Sequence, residues 1–320
     1  TARQITAAVE QPIKVGQHVL SAHMSIGISH FTMTDGVETI VTRSDNAMYL
    51  AKGDAASNIA FYTDAVHQQL THQMQVLEGI QEALVEDQFF MHYQPQFNHL
   101  QELIGVEALV RWQHSQLGLL LPDQFIGLAE QYHRINEIGS WVIDSVLSQV
   151  AQWHQAGYVL PKVAINISPI QLLDENFTRV VDQLAERYGI NPEGIVFEIT
   201  ESTDIEHFNL ISTVLEALKA RGYRFSLDDF GTGYASMTHF KRLPFSQVKI
   251  DQSFVADIES NADSLAIAEV VLAMARSLKL EVIAEGVETQ SQLEILNKLG
   301  CTGYQGYLFS KPLSVQAITS

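Results

Sequence analysis

From Asp87 to the end of the chain, short apolar stretches take turns with longer amphipathic ones. The strand candidates are FFMHYQP, LIGVEALVRW, KVAINIS, GIVFEITES, YRFSLDDF, SQVKIDQSF, EVIAEGVE and GYQGYLF. Helix candidates lie between most of them, among them Phe177–Tyr188, Asn209–Arg221, Ser264–Leu280 and Gln290–Leu299. Such alternation points to a parallel α/β sheet. Eight strands in this length predict a TIM-like (β/α)8 barrel. An open doubly wound sheet is the competing architecture, but its glycine fingerprint after the first strand is absent.

A smaller α/β segment precedes the barrel. In residues 1–63, His23–Ser29 alternates like a strand, Thr42–Lys52 reads as a helix and Asn58–Tyr62 as a second strand. Over residues 64–86 a helical pattern runs through Val66, Leu70, Met74, Leu77, Ile80 and Leu84 and is expected to link the two parts. The barrel is expected over 87–320.

The 320 residues are 46% hydrophobic, enough for a large core. A single cysteine, Cys301, excludes an internal disulfide and points to a reducing, cytoplasmic setting. No apolar run is long enough to span a membrane, so no membrane contact is expected within these residues. The chain begins at Thr1 without a methionine and reads as a piece of something longer, with room outside it for an anchor or a sensor. The formal charge of −18 argues against DNA or RNA held on a basic face. A phosphate-bearing substrate would need metal ions and a few local cations to hold it.

Side chains alternate across a strand, and in strand after strand the large apolar residues take one parity and a polar residue the other. Glu107 opposes Val106 and Ala108, and Asn166 opposes Ile165 and Ile167. Glu198 opposes Phe197 and Ile199, Asp228 opposes Leu227, and Lys249 opposes Val248 and Ile250. Glu285 and Gln305 repeat the pattern against Ala284 and Tyr304. One acidic residue at a strand end is ordinarily a solvated rim residue. An aligned series is different, because barrel active sites gather at the C-terminal mouth and buried anions need compensation. Glu107, Glu198, Asp228, Asp229 and Glu285 face the single Lys249, which predicts divalent cations. With oxygen ligands and neither cysteine nor histidine, Mg²⁺ or Mn²⁺ suits these positions better than Zn²⁺. Two ions about 3.5–4 Å apart are a common device for phosphodiester hydrolysis.

Together these residues resemble the EAL phosphodiesterases, which hydrolyse cyclic di-GMP. The resemblance rests on YQP (Tyr93–Pro95), EALVRW (Glu107–Trp112), INIS (Ile165–Ser168), FEITES (Phe197–Ser202), DDFGTGYAS (Asp228–Ser236), KID (Lys249–Asp251), EGVET (Glu285–Thr289) and QGYLFSKP (Gln305–Pro312). It implies that Glu107, Asn166, Glu198 and Asp228 ligate one metal. Asp228 then bridges to a second metal held also by Asp229. It further implies Lys249 as the cation that orients the attacking water. Glu285 is either general base or second-metal ligand. Gln94, Leu109 and Arg111 are implied as substrate contacts, Gln305 as a nearby or water-positioning residue, and Glu201 as the anchor of the loop after Asp229. Ca²⁺ is expected to inhibit, and the family suggests a homodimer. The segment 1–63 resembles the last part of a GGDEF domain through MSIGIS and SDNAMYLAKGDAASNIAFY, without the signature loop, so no cyclase activity is expected from it.

Competing motifs fall short. DFG at Asp229–Gly231 lacks the glycine-rich loop and strand lysine of a kinase, and HRI at His133–Ile135 is a poor substitute for its catalytic loop. The twelve histidines are scattered. Trp112, Trp141, Trp153 and Cys301 read as packing residues, and Asp251 shares parity with Lys249 and is expected to pair with it. A receptor that binds cyclic di-GMP without turnover is the alternative function, but receptors of this kind usually lose metal ligands, and here the set is complete.

Overall fold

The computed structural model describes residues 1–15, 18–20, 22–53, 58–200, 207–231 and 242–319. Two compact units divide the chain, Thr1–Gly79 and Ile80–Ser320. Glu201, Ser202 and residues 232–236 of the DDFGTGYAS motif lie outside the described residues.

The first unit holds α1 (Ala2–Val9), a hairpin of β1 (Ile13–Val15) and β2 (His18–Leu20), β3 (Ile26–Ile28), α2 (Val37–Gly53) and β4 (Ile59–Phe61). β3 and β4 pair in parallel. α2 lies so close to β3 that a Cβ on Gly27 would sit 2.0 Å from the Ser44 carbonyl oxygen. The division falls within the long helix α3 (Asp64–Val85).

The second unit is a closed eight-stranded barrel. Its strands are β5 (Phe89–Phe97), β6 (Leu103–His114), β8 (Val163–Asn166), β9 (Ile195–Thr200), β10 (Arg224–Phe230), β11 (Gln247–Ile250), β12 (Glu281–Ala284) and β13 (Gly303–Tyr304). β7 (Gly118–Leu120) extends β6 as a hairpin outside the ring. Helices α4 (Pro122–Gln131), α5 (Ile135–Gln155), the short α6 (Pro169–Leu172), α7 (Phe177–Tyr188), α8 (Phe208–Lys219), α10 (Ala262–Leu278) and α11 (Gln290–Leu299) follow their strands. The apolar parity read from sequence is the parity that packs on these helices. Val106, Ile165, Phe225, Val248 and Ile250 are at most 0% exposed.

One strand departs from the parallel expectation. β5 runs antiparallel to both of its neighbours, β6 and β13. Its connection to β6 is only Asn98–Glu102, far too short for the crossover that a parallel neighbour needs. Asn98 closes the turn by accepting from the Leu100 and Glu102 backbone N–H groups, with Gln101 left-handed at φ 61°. Reversal puts the start of β5 at the mouth, so Gln94 and Gln96 run down into the barrel opposite Glu107 and Gly105.

Several strand candidates stop early, KVAINIS at Asn166 and EVIAEGVE at Ala284 among them. The β11 candidate ends at Ile250, where Asp251 caps the short helix α9 (Gln252–Ala256) by accepting from Ser253 N–H at 3.0 Å. Asp251 is therefore a helix cap, and no contact pairs it with Lys249. The β13 candidate shrinks to Gly303–Tyr304, because Gly306 lets the backbone press against Val287, with 2.2 Å from a hypothetical Cβ to the Val287 oxygen.

Two substitutions one residue apart in strand parity test the assignment of faces. Ile165→Asp places an unpaired charge in the helix-facing layer and should cost roughly 4 kcal/mol or more. Glu107→Ala removes one of several acidic groups from the interior face and should leave a cooperative fold within a few degrees of the unsubstituted melting temperature. Equal losses in thermal melts would refute the assignment.

Candidate active site

The polar parity converges on one ammonium. Lys249 Nζ lies 3.3 Å from Glu107 Oε2, 2.9 Å from Glu198 Oε2, 3.3 Å from Asp228 Oδ1 and 2.6 Å from Glu285 Oε1. The lysine is fully buried, and the carboxylates around it are buried or nearly so. Each comes from a different strand, Glu107 from within β6, Glu198 and Asp228 from the second halves of β9 and β10, and Glu285 from just past the end of β12, so the barrel brings together positions far apart in sequence.

Burial and charge set the protonation of this cluster. Burial disfavours the ammonium, but Asp228, Glu107, Glu198 and Glu285 together hold Lys249 well above its ordinary range. Burial also raises Glu198, and Lys249 only partly offsets that rise because Glu107, Asp228 and Glu285 repel a further negative charge. Glu285 stands well above the carboxylate range and Asp228 above it for the same reasons. Glu107 differs. Burial pushes it up, yet the charge of Lys249 and hydrogen bonds from Gln305, Asn166 and Lys249 bring it below its usual value. Asn166 Nδ2 donates to Glu107 Oε1 at 2.7 Å, and Gln305 Nε2 donates to Glu107 Oε2 at 2.6 Å.

Asp228 and Asp229 reach one site through a bulge. Leu227 of β10 pairs with Val248 of β11, but Phe230 pairs with Ile250, so Asp228 and Asp229 together oppose Lys249. The extra residue is accommodated by Asp229 itself, in the left-handed region at φ 54°. Its N–H donates to Asp228 Oδ1 at 3.0 Å. Gly231 continues the bend at φ 102°. Oxygens of Asp228, Asp229 and Glu285 all lie within 4.8 Å of one another. Burial, the charge of Asp228 and that of Asp251 push Asp229 up to about 6. The nearness of Asp251 to Asp229 was not legible in sequence, since it depends on the bulge.

This donor set fits a divalent metal on three counts. All its ligand atoms are hard oxygens, three of them are grouped around one point, and Glu198 Oε1 is buried without a hydrogen-bond partner. Asn166 is exposed at the edge of the cluster. Gln94 is engaged at both ends of its amide, accepting from Gln305 at 3.1 Å and donating to the Ser310 carbonyl at 3.1 Å. Leu109 borders a mostly apolar cavity of about 390 Å³ beside Asn166, with Ile138, Val142 and Pro169 in its wall. Arg111 shares the Glu107 parity further out and donates to the Val110 carbonyl at 2.8 Å. Burial lowers its basicity, and the carboxylate charges of Glu107 and Asp123 counter that.

The match to the EAL domain runs over residues 77–312. The chain belongs to the EAL-domain family. Among curated relatives, the bifunctional diguanylate cyclase/cyclic di-GMP phosphodiesterase MucR of Pseudomonas aeruginosa is 35% identical over 320 residues, 99% of this chain and 47% of the relative. The cyclic di-GMP phosphodiesterase PdeR of Escherichia coli is 35% identical over 317 residues, 99% of this chain and 48% of the relative. The chain thus spans about half the length of these relatives. Among solved structures, that of the PaMucR phosphodiesterase in complex with c-di-GMP superposes with a TM-score of 0.73 at 38% identity, covering 76% of this chain and 99% of that one. The EAL barrel also explains the fate of the kinase-like DFG, which here is the bulge and turn at the end of β10. No helix among the described residues is long and apolar enough to cross a membrane.

Asp229 yields a test that needs no substrate. In the folded chain its carboxyl keeps a proton up to about pH 6, against 3.8 for the ordinary group. Between those values the folded state binds more protons than the unfolded one, so this group's contribution to stability falls as pH rises. In the absence of metal, Asp229→Asn should therefore stabilise the fold above pH 6, and the gain should vanish below about pH 4. Denaturant melts of both chains at pH 4 and pH 8 would measure it. Equal stabilities at pH 8 would contradict the raised value.

Proposed function

We propose that this chain hydrolyses cyclic di-GMP to linear pGpG. The observation that carries the reading is the cluster of Glu107, Glu198, Asp228 and Glu285 around Lys249, with Asp229 turned toward it by the bulge. That both curated relatives and the superposed structure are named as cyclic di-GMP phosphodiesterases supports the substrate. In the reaction, water adds to one phosphorus, the bond from phosphorus to a ribose 3′ oxygen breaks, and that oxygen takes up a proton.

Glu107, Asn166, Glu198 and Asp228 would hold one Mg²⁺ or Mn²⁺, with Asp228, Asp229 and Glu285 holding a second. Such ions supply Lewis acidity toward the phosphate and a more acidic bound water. The grouping of Glu285 with Asp228 and Asp229 supports its reading as a ligand over that of a general base. Lys249 does two things in this scheme. It holds four carboxylates in register, and its ammonium offers the nearest positive charge to negative charge developing on phosphate. Arg111 supplies a further cation on the same face for a phosphate. Leu109 and the apolar cavity offer space for a base, and Gln94 contacts the ligand from the rim of the cluster.

In the same reading residues 1–63 are the C-terminal remnant of a GGDEF domain without cyclase activity, residues 64–86 a linker helix and residues 87–320 the barrel. The protein acts in the cytoplasm as a homodimer, and Glu201 anchors the loop after Asp229.

The decisive assay incubates the chain with cyclic di-GMP and separates the products. Mg²⁺ or Mn²⁺ should support formation of pGpG, excess EDTA should abolish it, and Ca²⁺, which prefers longer bonds and looser geometry, should inhibit. Tight binding without turnover in Mn²⁺ would instead make the chain a receptor.

The two adjacent aspartates should behave unequally. Asp228→Asn removes the proposed bridge and should lose at least about a hundredfold in kcat at any Mn²⁺ concentration. Asp229→Asn should raise the Mn²⁺ concentration needed for half-maximal rate and recover part of the rate in excess. Recovery by the first variant and not the second would reverse the assignment of the bridging carboxylate.

A further inference from the structure

Beneath the carboxylates lies an amide chain that runs in one direction. Gln96 Nε2 donates to Gln305 Oε1 at 2.9 Å. Gln305 Nε2 then donates to Glu107 Oε2 at 2.6 Å and to Gln94 Oε1 at 3.1 Å, and Gln94 Nε2 donates to the Ser310 carbonyl at 3.1 Å. A glutamine amide has one accepting and one donating end, and its partners decide which way round it sits. For Gln305 that decision matters. One orientation offers N–H groups to Glu107, and the other would set a carbonyl oxygen against a carboxylate.

We infer that Gln96 is a positioning residue for the site, which fixes the amide of Gln305 so that it donates to Glu107. Gln96 is 4% exposed, and its donor meets the only side of Gln305 that can accept. It lies one layer below the acidic cluster, on the reversed strand β5, opposite Gly105. The glycine leaves it room, since a Cβ there would sit 3.1 Å from Gln96 Oε1. Among the described residues Gln96 makes no hydrogen bond to the carboxylates or Lys249, and its route to them is the bond to Gln305. This deepens the phosphodiesterase reading and rests on it only for the kinetic measurements below.

A double-substitution cycle tests the inference. Gln96→Met keeps the shape and removes the donor. It should weaken Mn²⁺ binding, followed by electron paramagnetic resonance, by about tenfold, and lower kcat by a similar factor with KM for cyclic di-GMP nearly unchanged. On a Gln305→Met background the same substitution should add nothing. Independent effects that multiply in the double variant would overturn the inference. Gln96→Glu covers the case in which Gln96→Met does not fold. An ionised carboxylate cannot donate to Gln305 Oε1 and draws its N–H end instead, turning the amide over. The deficit relative to the unsubstituted chain should therefore shrink as pH falls toward 5, where the introduced acid regains a proton and donates again. A ratio independent of pH would also overturn the inference. Should the unsubstituted chain bind Mn²⁺ but fail to hydrolyse cyclic di-GMP, the function reading fails, and the Mn²⁺ cycle still decides the role of Gln96.

Discussion

Four carboxylates share a single buried ammonium at Lys249, and the rest of the barrel is arranged around that imbalance. A buried lysine without partners would give up its proton, and these carboxylates without Lys249 would take theirs back. Each side keeps the other charged only in part. Burial raises Glu198, Asp228 and Glu285 above their ordinary range, and one ammonium shared among four mutually repelling carboxylates does not bring them back. Glu107 alone falls below it, because it also receives hydrogen bonds from Asn166 and Gln305. In that sense the four are not equivalent ligands waiting for an ion. Glu107 is held as an anion, while burial and mutual repulsion make its neighbours bind a proton more readily than an ordinary carboxylate does.

Two departures from regular geometry make the convergence possible. The bulge in β10 lets consecutive residues oppose one lysine, where strict alternation would send Asp229 toward the helices. The reversed β5 brings glutamines down from the mouth against Glu107. Below them the interior stays polar, with Gln247 Nε2 donating to Ser226 Oγ at 3.2 Å, and the floor is spanned by the ion pair of Lys162 with Glu281. Barrel interiors are usually filled by branched apolar side chains. Here the apolar core lies mainly between strands and helices, as in the packing of Val271, Leu272 and Ala275 of α10 on Val248 and Val282.

Much of this was legible in the sequence, because parity is a strong signal when it repeats. Val106, Ile165, Phe197, Leu227 and Val248 named the helix-facing layer, and Glu107, Glu198, Asp228, Lys249 and Glu285 the interior one. The reversal of β5 left a mark too, in a five-residue gap, Asn98–Glu102, that no crossover helix could fill. Other features left little. The pairing of Asp229 with Asp251 depends on a bulge, and a bulge adds one residue without a distinctive composition. Parity alone placed Asp251 beside Lys249, but a helix that starts at the next residue claimed its carboxylate as a cap. Gln96 passed unremarked because an amide in a strand has no pattern. Its meaning lies in which atom of Gln305 it meets.

A cluster with a raised affinity for protons sets them in competition with any cation. Ligation requires the ionised carboxylate, and Glu198, Asp228, Asp229 and Glu285 all bind protons more readily than ordinary carboxylates. Metal affinity and pH are then linked at this site, with lower pH favouring the proton-loaded form. Lys249 stays throughout, since its raised basicity leaves it charged over the whole working range. It prevents full repulsion among the carboxylates when no metal is bound, and it limits how closely they can gather around an ion. The amide chain through Gln305 has a complementary effect, because it keeps one oxygen of Glu107 engaged whichever cation is present. The fold thus holds the Glu107 carboxylate in one orientation through neutral groups whose hydrogen bonds do not titrate.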